Sequence, residues 1–354
     1  MTSYQEIDTP AVLIDLDKAE ANLKSAQDAA DAAGLTLRPH IKTHKLPFFA
    51  KRQVELGAVG ITVQKLGEAE VMADAGLTDL LLTFNIIGAS KRARLKALHD
   101  RVTIRVVADS NACVAGLAET FTDPAHRLGV FVECDTGMGR CGVQSADAAL
   151  TLARQIMDAP GLEFAGLMTY PAAGKYREAS AWLADAKAAF TDAGIDVPAI
   201  TTGGTPDIWN MQEASGIATE YRPGTYIYMD RSQVAAGAAS IEDCALTVLA
   251  TVVSRPTESR AIIDAGSKAL TSDLLGMVGH GYVLEYPDAR IVGLSEEHGT
   301  IDLSACTDKP SIGDTIRIIP NHCCPVTNLF DRVNLIRGGG LVETVTVAAR
   351  GRVD

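Results

Sequence analysis

No stretch of this sequence is long and apolar enough to span a bilayer. Its first residues, Met1-Thr2-Ser3-Tyr4-Gln5-Glu6, lack the basic-then-apolar order of a secretory leader. A disulfide framework is missing too. The seven cysteines are an odd number without paired spacing, which suits a reducing cytoplasm. Cys113, Cys134, Cys141, Cys244 and Cys306 sit among apolar or small residues and read as buried thiols. Positive charge is not in excess: 44 acidic residues against 32 basic ones leave a net charge of −12, which argues against a nucleic-acid partner. Charged residues make up 21%, no low-complexity linker is visible, and nothing repeats beyond a strand–helix rhythm, so extended disorder is not expected. These absences leave a cytoplasmic, globular protein with a large core. Its 354 residues give room for a barrel of about 250 residues and a smaller domain.

Between about residues 35 and 230, short β-rich runs alternate with alanine-rich helical ones. The runs are 37–42, 60–64, 80–84, 102–108, 128–134, 164–170, 199–203 and 225–229. Helical patterns lie between them at 66–75, 91–99, 146–157 and 178–193. Eight strands in this alternation predict an α/β fold, a (β/α)8 TIM-type barrel. After about residue 235 the texture changes to strands at 246–253, 259–264, 288–294, 315–319 and 343–347, separated by Gly, Pro and Asp. That predicts a barrel domain over 1–235 and a C-terminal all-β domain over 236–354. The run 11–15 precedes the barrel pattern and is a candidate partner for the second domain, with a helix over 16–33 following it.

The richest stretch is Arg38-Pro39-His40-Ile41-Lys42-Thr43-His44-Lys45, where cations crowd after an apolar run. As a strand it would put His40, Lys42 and His44 on one face and Pro39, Ile41 and Thr43 on the other. Lys42 would then end the first barrel strand, where barrel active sites sit. Desolvation and neighbouring positive charge both lower an ammonium pKa, which makes such a lysine a Schiff-base candidate for an anionic cofactor. The alternative is a basic loop at a strand end.

Other strand ends add chemistry. The run Asp135-Thr136-Gly137-Met138-Gly139-Arg140-Cys141-Gly142 brackets Arg140 with glycines, so its guanidinium can reach the mouth and pair with a phenolate or carboxylate. Tyr170, in Thr169-Tyr170-Pro171, is either a stacking or acid/base group or an ordinary rim aromatic. Gly203-Gly204-Thr205 offers backbone N–H groups to an anion near strands seven and eight, where barrels bind phosphate, and Tyr226 is a further candidate there. In the second domain His322 and Cys324, in Asn321-His322-Cys323-Cys324-Pro325, would share one face of an extended segment. Together they make half a zinc site, unless they are only a core histidine beside buried thiols. Lys268 competes with Lys42 for the Schiff base. His298 is either a site residue or a turn residue.

Taken in order, these motifs resemble the fold-type III pyridoxal-phosphate enzymes, specifically the D-threonine aldolase / D-serine dehydratase family. The Asp-Thr-Gly-Met-Gly-Arg run also looks like that of alanine racemases. The resemblance covers almost the whole chain. It implies a Schiff base between Lys42 and pyridoxal 5'-phosphate, with His40 beside it. Arg140 is expected at the cofactor's phenolic oxygen and Tyr170 near its ring. Gly203, Gly204, Thr205 and Tyr226 are expected around its phosphate. It further implies a divalent metal on His322 and Cys324, beside the β-hydroxyl of a small D-amino acid, and a homodimer.

Within that family two reactions branch. Dehydration yields a keto acid and ammonia, whereas aldol cleavage yields glycine and an aldehyde. The dehydratases carry His-x-Cys, which favours zinc over manganese or magnesium, while the aldolases usually carry His-x-Asp. The chain is therefore expected to be a D-serine or D-3-hydroxyaspartate type dehydratase, with a D-threonine type aldolase as the alternative. Behind these stand an amino-acid racemase, a non-catalytic carrier of the cofactor and a cofactor-free binding protein. The segment Tyr170-Pro171-Ala172-Ala173-Gly174 departs from the pattern of either activity and points to a different side-chain preference, such as 3-hydroxyaspartate.

Overall fold

The structure, a computed structural model, describes residues 3–214 and 216–354. Its contacts divide the chain into two units. One comprises Ser25–Lys42, Pro47–Gly224 and Arg352–Asp354, and the other Met1–Lys24, Thr43–Leu46 and Thr225–Gly351.

After β1 (Ala11–Asp15), which belongs to the second unit, the first unit contributes eight strands. They are β2 (Thr36–Leu37), β3 (Ile61–Val63), β4 (Asp79–Leu82), β5 (Thr103–Ala108), β6 (Leu128–Glu133), β7 (Leu162–Met168), β8 (Ile200–Thr202) and β9 (Glu220–Tyr221). All pair in parallel, in the order β2-β9-β8-β7-β6-β5-β4-β3. A parallel bridge between His40 and Thr62 joins the two ends, so the sheet closes into the predicted barrel. Parallel strands covered on both faces read as continuous apolar runs, and the central strands are almost wholly buried. Leu81, Val107, Phe131 and Met168, one from each of four adjacent strands, form one cluster of the barrel core.

The helices follow the same economy. Ala146–Asp158 buries Ala149, Leu152, Ala153 and Ile156, a single stripe, and the Ser145 hydroxyl accepts from the Ala148 N–H to cap its start. The helix Leu16–Ala33 has the bounds read from the sequence. No helix among the described residues is long and apolar enough to cross a membrane.

Two strand assignments change. The first barrel strand does not run on to Lys42. Its ladder persists to His40, whose N–H donates to Pro223 O while Thr62 N–H donates to Pro39 O. There the chain turns into a 3-10 helix, Ile41–Thr43. The Lys42 N–H donates to His40 Nδ1 at 3.2 Å, a local side-chain cap that ends the extended run. Lys42 and His44 are therefore not set on one face by strand alternation. The eighth strand is Glu220–Tyr221, and Thr225–Ile227 is a 3-10 turn instead. Pro223, lacking an N–H, ends that ladder after Arg222 donates to Thr202 O.

The second unit is a mixed sheet of β1 with β10 (Leu246–Thr257), β11 (Arg260–Ile263), β12 (Tyr282–Val283), β13 (Arg290–Leu294), β14 (Gly299–Asp302), β15 (Thr315–Ile319), β16 (Arg332–Arg337) and β17 (Gly340–Thr346). The N-terminal strand lies at its centre, antiparallel to β10 and parallel to β16. Val12, Leu13 and Ile14 are fully buried there. Four of the thiols read as buried are so, but Cys141 is exposed, because it sits in the glycine-rich loop after β6 rather than in the strand.

Candidate active site

The barrel's strand ends bring Lys42, Arg140 and Tyr170 together. Lys42 Nζ lies 5.7 Å from the centroid of the Tyr170 ring, and the Arg140 guanidinium carbon lies 5.1 Å from the same centroid. Each arrives by a specific local structure. The 3-10 turn presents Lys42. His40, at the end of the strand before it, has its Nε2 3.1 Å from Gln64 Oε1.

Arg140 is carried by the loop after β6, which Asp135 organises by accepting from Gly137 N–H and Gly139 N–H, both at 3.0 Å. Gly142 closes the loop at a φ of +118°, where a Cβ would stand 2.3 Å from Asp135 N, so only glycine fits. Tyr170 follows β7, anchored by Thr169, whose hydroxyl donates to Cys134 O at 2.8 Å.

The Gly-Gly-Thr turn is packed against aromatic rings. Gly203 has a φ of +95°, and a Cβ there would lie 2.3 Å from Tyr221 Cε2; one at Gly204 would lie 3.1 Å from Tyr170 Cε2. Tyr221 donates its hydroxyl to Gly204 O at 2.8 Å, and Gly224 N–H donates to Thr205 Oγ1 at 3.3 Å. Arg222, buried beneath, donates to Thr201 Oγ1 at 2.7 Å and to Thr169 O. Burial lowers its guanidinium pKa to about 10, against the pull of Glu220 and Glu133.

Glu133 belongs to none of the motifs singled out in the sequence. It ends β6, is 5% exposed, and lines a cavity of about 530 Å³ with Gln64, Asn85, Lys91 and Arg140. Ligating atoms of Glu133, Asp109 and Cys141 all lie within 4.8 Å of one another. Burial pushes the Glu133 carboxyl up to about 7, Arg140 opposes that, and Asp109 adds to it. The signal was available: a carboxylate that ends an otherwise apolar parallel strand faces a barrel mouth and costs free energy unless used or paired.

In the second unit His322 is not part of a strand. It is the N-cap of the short helix Cys323–Leu329, extended itself at φ −142°, with Cys324 as the second helical residue. Cys323 is fully buried and its N–H donates to Asp230 Oδ2 at 2.9 Å. Cys324 is only half-buried, with its sulfur 3.1 Å from Thr43 Oγ1 and 3.7 Å from Thr225 Oγ1. His322 Nδ1 lies 2.8 Å from Asp273 Oδ2. Burial works against a charge on His322, but Cys324 and Asp273 outweigh it and raise its pKa to about 9.

The helix turn thus separates the two cysteines, the strand alternation expected here being replaced by helical spacing. Tyr226 lies buried in the turn Thr225–Ile227 of this unit. Lys268 is exposed and paired with Glu297 at 2.6 Å and Glu296 at 3.3 Å. His298 is an exposed turn residue whose backbone O accepts from Ser295 N–H.

Residues 14–232 match the family described as "Alanine racemase, N-terminal domain", and residues 245–336 match "Putative serine dehydratase domain". The chain belongs to the D-threonine aldolase / D-serine dehydratase family of fold-type III pyridoxal-phosphate enzymes. It is a pyridoxal-phosphate-dependent lyase of a family that acts on small D-amino acids.

Both branches of the family are near. A D-threonine aldolase from Arthrobacter sp. is 34% identical over 98% of this chain and 93% of that protein. A D-threo-3-hydroxyaspartate dehydratase from Delftia sp. is 32% identical over 96% of each. Among solved structures, D-threonine aldolase from Filomicrobium marinum superposes with a TM-score of 0.92 at 33% identity, covering 100% of this chain and 98% of that one. A cysteine-to-alanine mutant of a D-threo-3-hydroxyaspartate dehydratase, described as metal-free, superposes at 0.86 with 29% identity, covering 98% of this chain and 99% of that one.

Proposed function

We propose that this lyase dehydrates D-β-hydroxy-α-amino acids of the D-serine or D-3-hydroxyaspartate type, releasing a keto acid and ammonia. The observation that carries the reading is the donor set at His322 and Cys324, an imidazole and a half-buried sulfur set two residues apart at a helix start. Such a nitrogen–sulfur pair suits zinc, with manganese or magnesium less well matched to the sulfur.

The barrel residues fit pyridoxal phosphate. Lys42 and Arg140 converge on the Tyr170 ring, a pairing of cations with an aromatic wall that suits a flat anionic group. Gly203 and Gly204 keep open a turn that any Cβ would crowd. When bound, the cofactor supplies an electron sink for charge developing at the substrate's α carbon, and a metal ion supplies a Lewis acid for a departing hydroxyl.

The chain's own residues do the rest. Lys42 would hold the cofactor through Nζ, and the same amine is the base placed to move the substrate's α-proton. His40 fixes the lysine's turn through the hydrogen bond to Lys42 N–H. Arg140, with its planar fork of donors beside the Tyr170 ring, would hold an anionic oxygen of the cofactor. Tyr170 provides the stacking wall and a hydroxyl within the same cluster. Gly203, Gly204 and Thr205 present backbone and hydroxyl groups to a phosphate. His322 and Cys324 would hold the metal.

A second reading, aldol cleavage, is favoured by the 34% identity to a D-threonine aldolase. Product analysis separates the two. The protein is supplied with pyridoxal phosphate and zinc, then given D-serine, D-threonine and D-3-hydroxyaspartate in turn. Keto acid and ammonia are expected, and glycine with an aldehyde would replace dehydration by the second reading.

A further inference from the structure

The second unit surrounds His322 and Cys324 with groups that no metal-binding motif in the sequence announced. Asp273 Oδ2 lies 2.8 Å from His322 Nδ1. Asp273 is itself tied in place: its backbone O accepts from Asn321 Nδ2 at 3.0 Å, and Asn321 Oδ1 accepts from Arg231 Nη1 at 2.7 Å. A ring that gives its Nδ1 proton to a carboxylate presents Nε2 as the basic nitrogen, and the carboxylate fixes both the tautomer and the ring plane.

The sulfur is held the same way. Thr43, the fully buried residue that follows Lys42 in the motif, has its hydroxyl 3.1 Å from Cys324 Sγ. A metal-binding thiolate has no proton to give. In that state the threonine hydroxyl must be the donor. Thr225 stands farther off, at 3.7 Å. Cys323 is not available as a substitute, since its backbone is bonded to Asp230 and it is fully buried.

We infer that Asp273 and Thr43 are the positioning residues of this metal pair, Asp273 orienting the His322 imidazole and Thr43 fixing the Cys324 thiolate. The inference rests on the metal reading above. Outer partners of this kind are worth about 10- to 100-fold in metal affinity.

The test is zinc titration of the cofactor-loaded protein against a chromophoric chelator, followed by the thiolate-to-metal absorption band after loading with cobalt. Asp273→Ala is expected to bind zinc about 10- to 100-fold more weakly, and Asp273→Asn, whose carbonyl still accepts, to recover most of that. Thr43→Val is expected to weaken binding and shift the cobalt band, and Thr43→Ser to restore both. Because Thr43 is buried, a Thr43→Val protein that does not fold leaves the decision to Thr43→Ser, whose band must match the wild type, and to the Asp273 pair. Wild-type zinc affinity and an unmoved cobalt band in Asp273→Ala and Thr43→Val would overturn the inference alone. A wild-type protein that binds no zinc would overturn the metal reading and the inference with it.

Discussion

Glu133→Gln should make the cofactor-free protein more stable, and more so at high pH than at low. The carboxyl is buried at the end of β6, and burial lifts it from an ordinary value of 4.5 to about 7. Arg140 and Arg222 pull the other way, while Asp109 and Asp135 add to the rise.

A carboxyl with a raised pKa holds its proton more tightly in the folded state than in the unfolded one. Its contribution is neutral in acid and becomes a penalty as pH rises from about 4.5 to about 7, where it levels off. At 1.36 kcal/mol per pKa unit, the penalty amounts to about 1 kcal/mol at pH 5 and about 3 kcal/mol at pH 8. For a chain of this length a gain of about 3 kcal/mol raises Tm by about 4 °C, so the variant's advantage should grow by about 3 °C between the two pH values. Thermal unfolding of both proteins at pH 5 and pH 8, without cofactor, measures it. Equal Tm differences at the two pH values, or a variant less stable than the parent at pH 8, would show that Glu133 is not the strained carboxyl described.

The two cysteines should separate in function. Cys324→Ala is expected to lower activity and zinc content far more than Cys323→Ala, which removes a fully buried thiol and costs about 1 kcal/mol of stability instead; equal losses in steady-state turnover would count against the metal pair. Gly203→Ala should weaken cofactor binding by more than about tenfold, because its Cβ strikes the Tyr221 ring and its φ is left-handed. Gly174→Ala, also at positive φ but with nothing within 4 Å, is the control, and titration of the visible cofactor band compares the two.

The barrel was legible because parallel strands buried on both faces leave apolar runs, and β5 to β8 fell within a few residues of where those runs lie. The strand ends were harder. Whether the chain stays extended past His40 depends on a hydrogen bond from Lys42 N–H to the His40 ring, and on where the neighbouring strand at Pro223 stops. Neither is visible as periodicity. The same holds for His322 and Cys324: their side chains do meet, but through a helix that starts at Cys323 with His322 as its N-cap, not through strand alternation.

Lys42, Arg140 and Tyr170 were marked by their positions at or just past expected strand ends, and their convergence depends on strand order, which a closed eight-stranded barrel fixes. Glu133 and Asp109 were passed over because each is a single carboxylate at a strand's end, with no local partner to mark it. Asp273 and Thr43 lie far in sequence from the residues they touch, and no local pattern carries that information.

The central claim is that Lys42 is the residue that carries the cofactor. Borohydride reduction of the pyridoxal-phosphate-loaded protein makes a lysine–cofactor bond permanent, and peptide mass mapping then locates it. The label is expected on the peptide containing Lys42 and is expected to vanish in Lys42→Ala along with the yellow colour. A label on Lys268, or a yellow Lys42→Ala protein that still takes the label, would contradict the account.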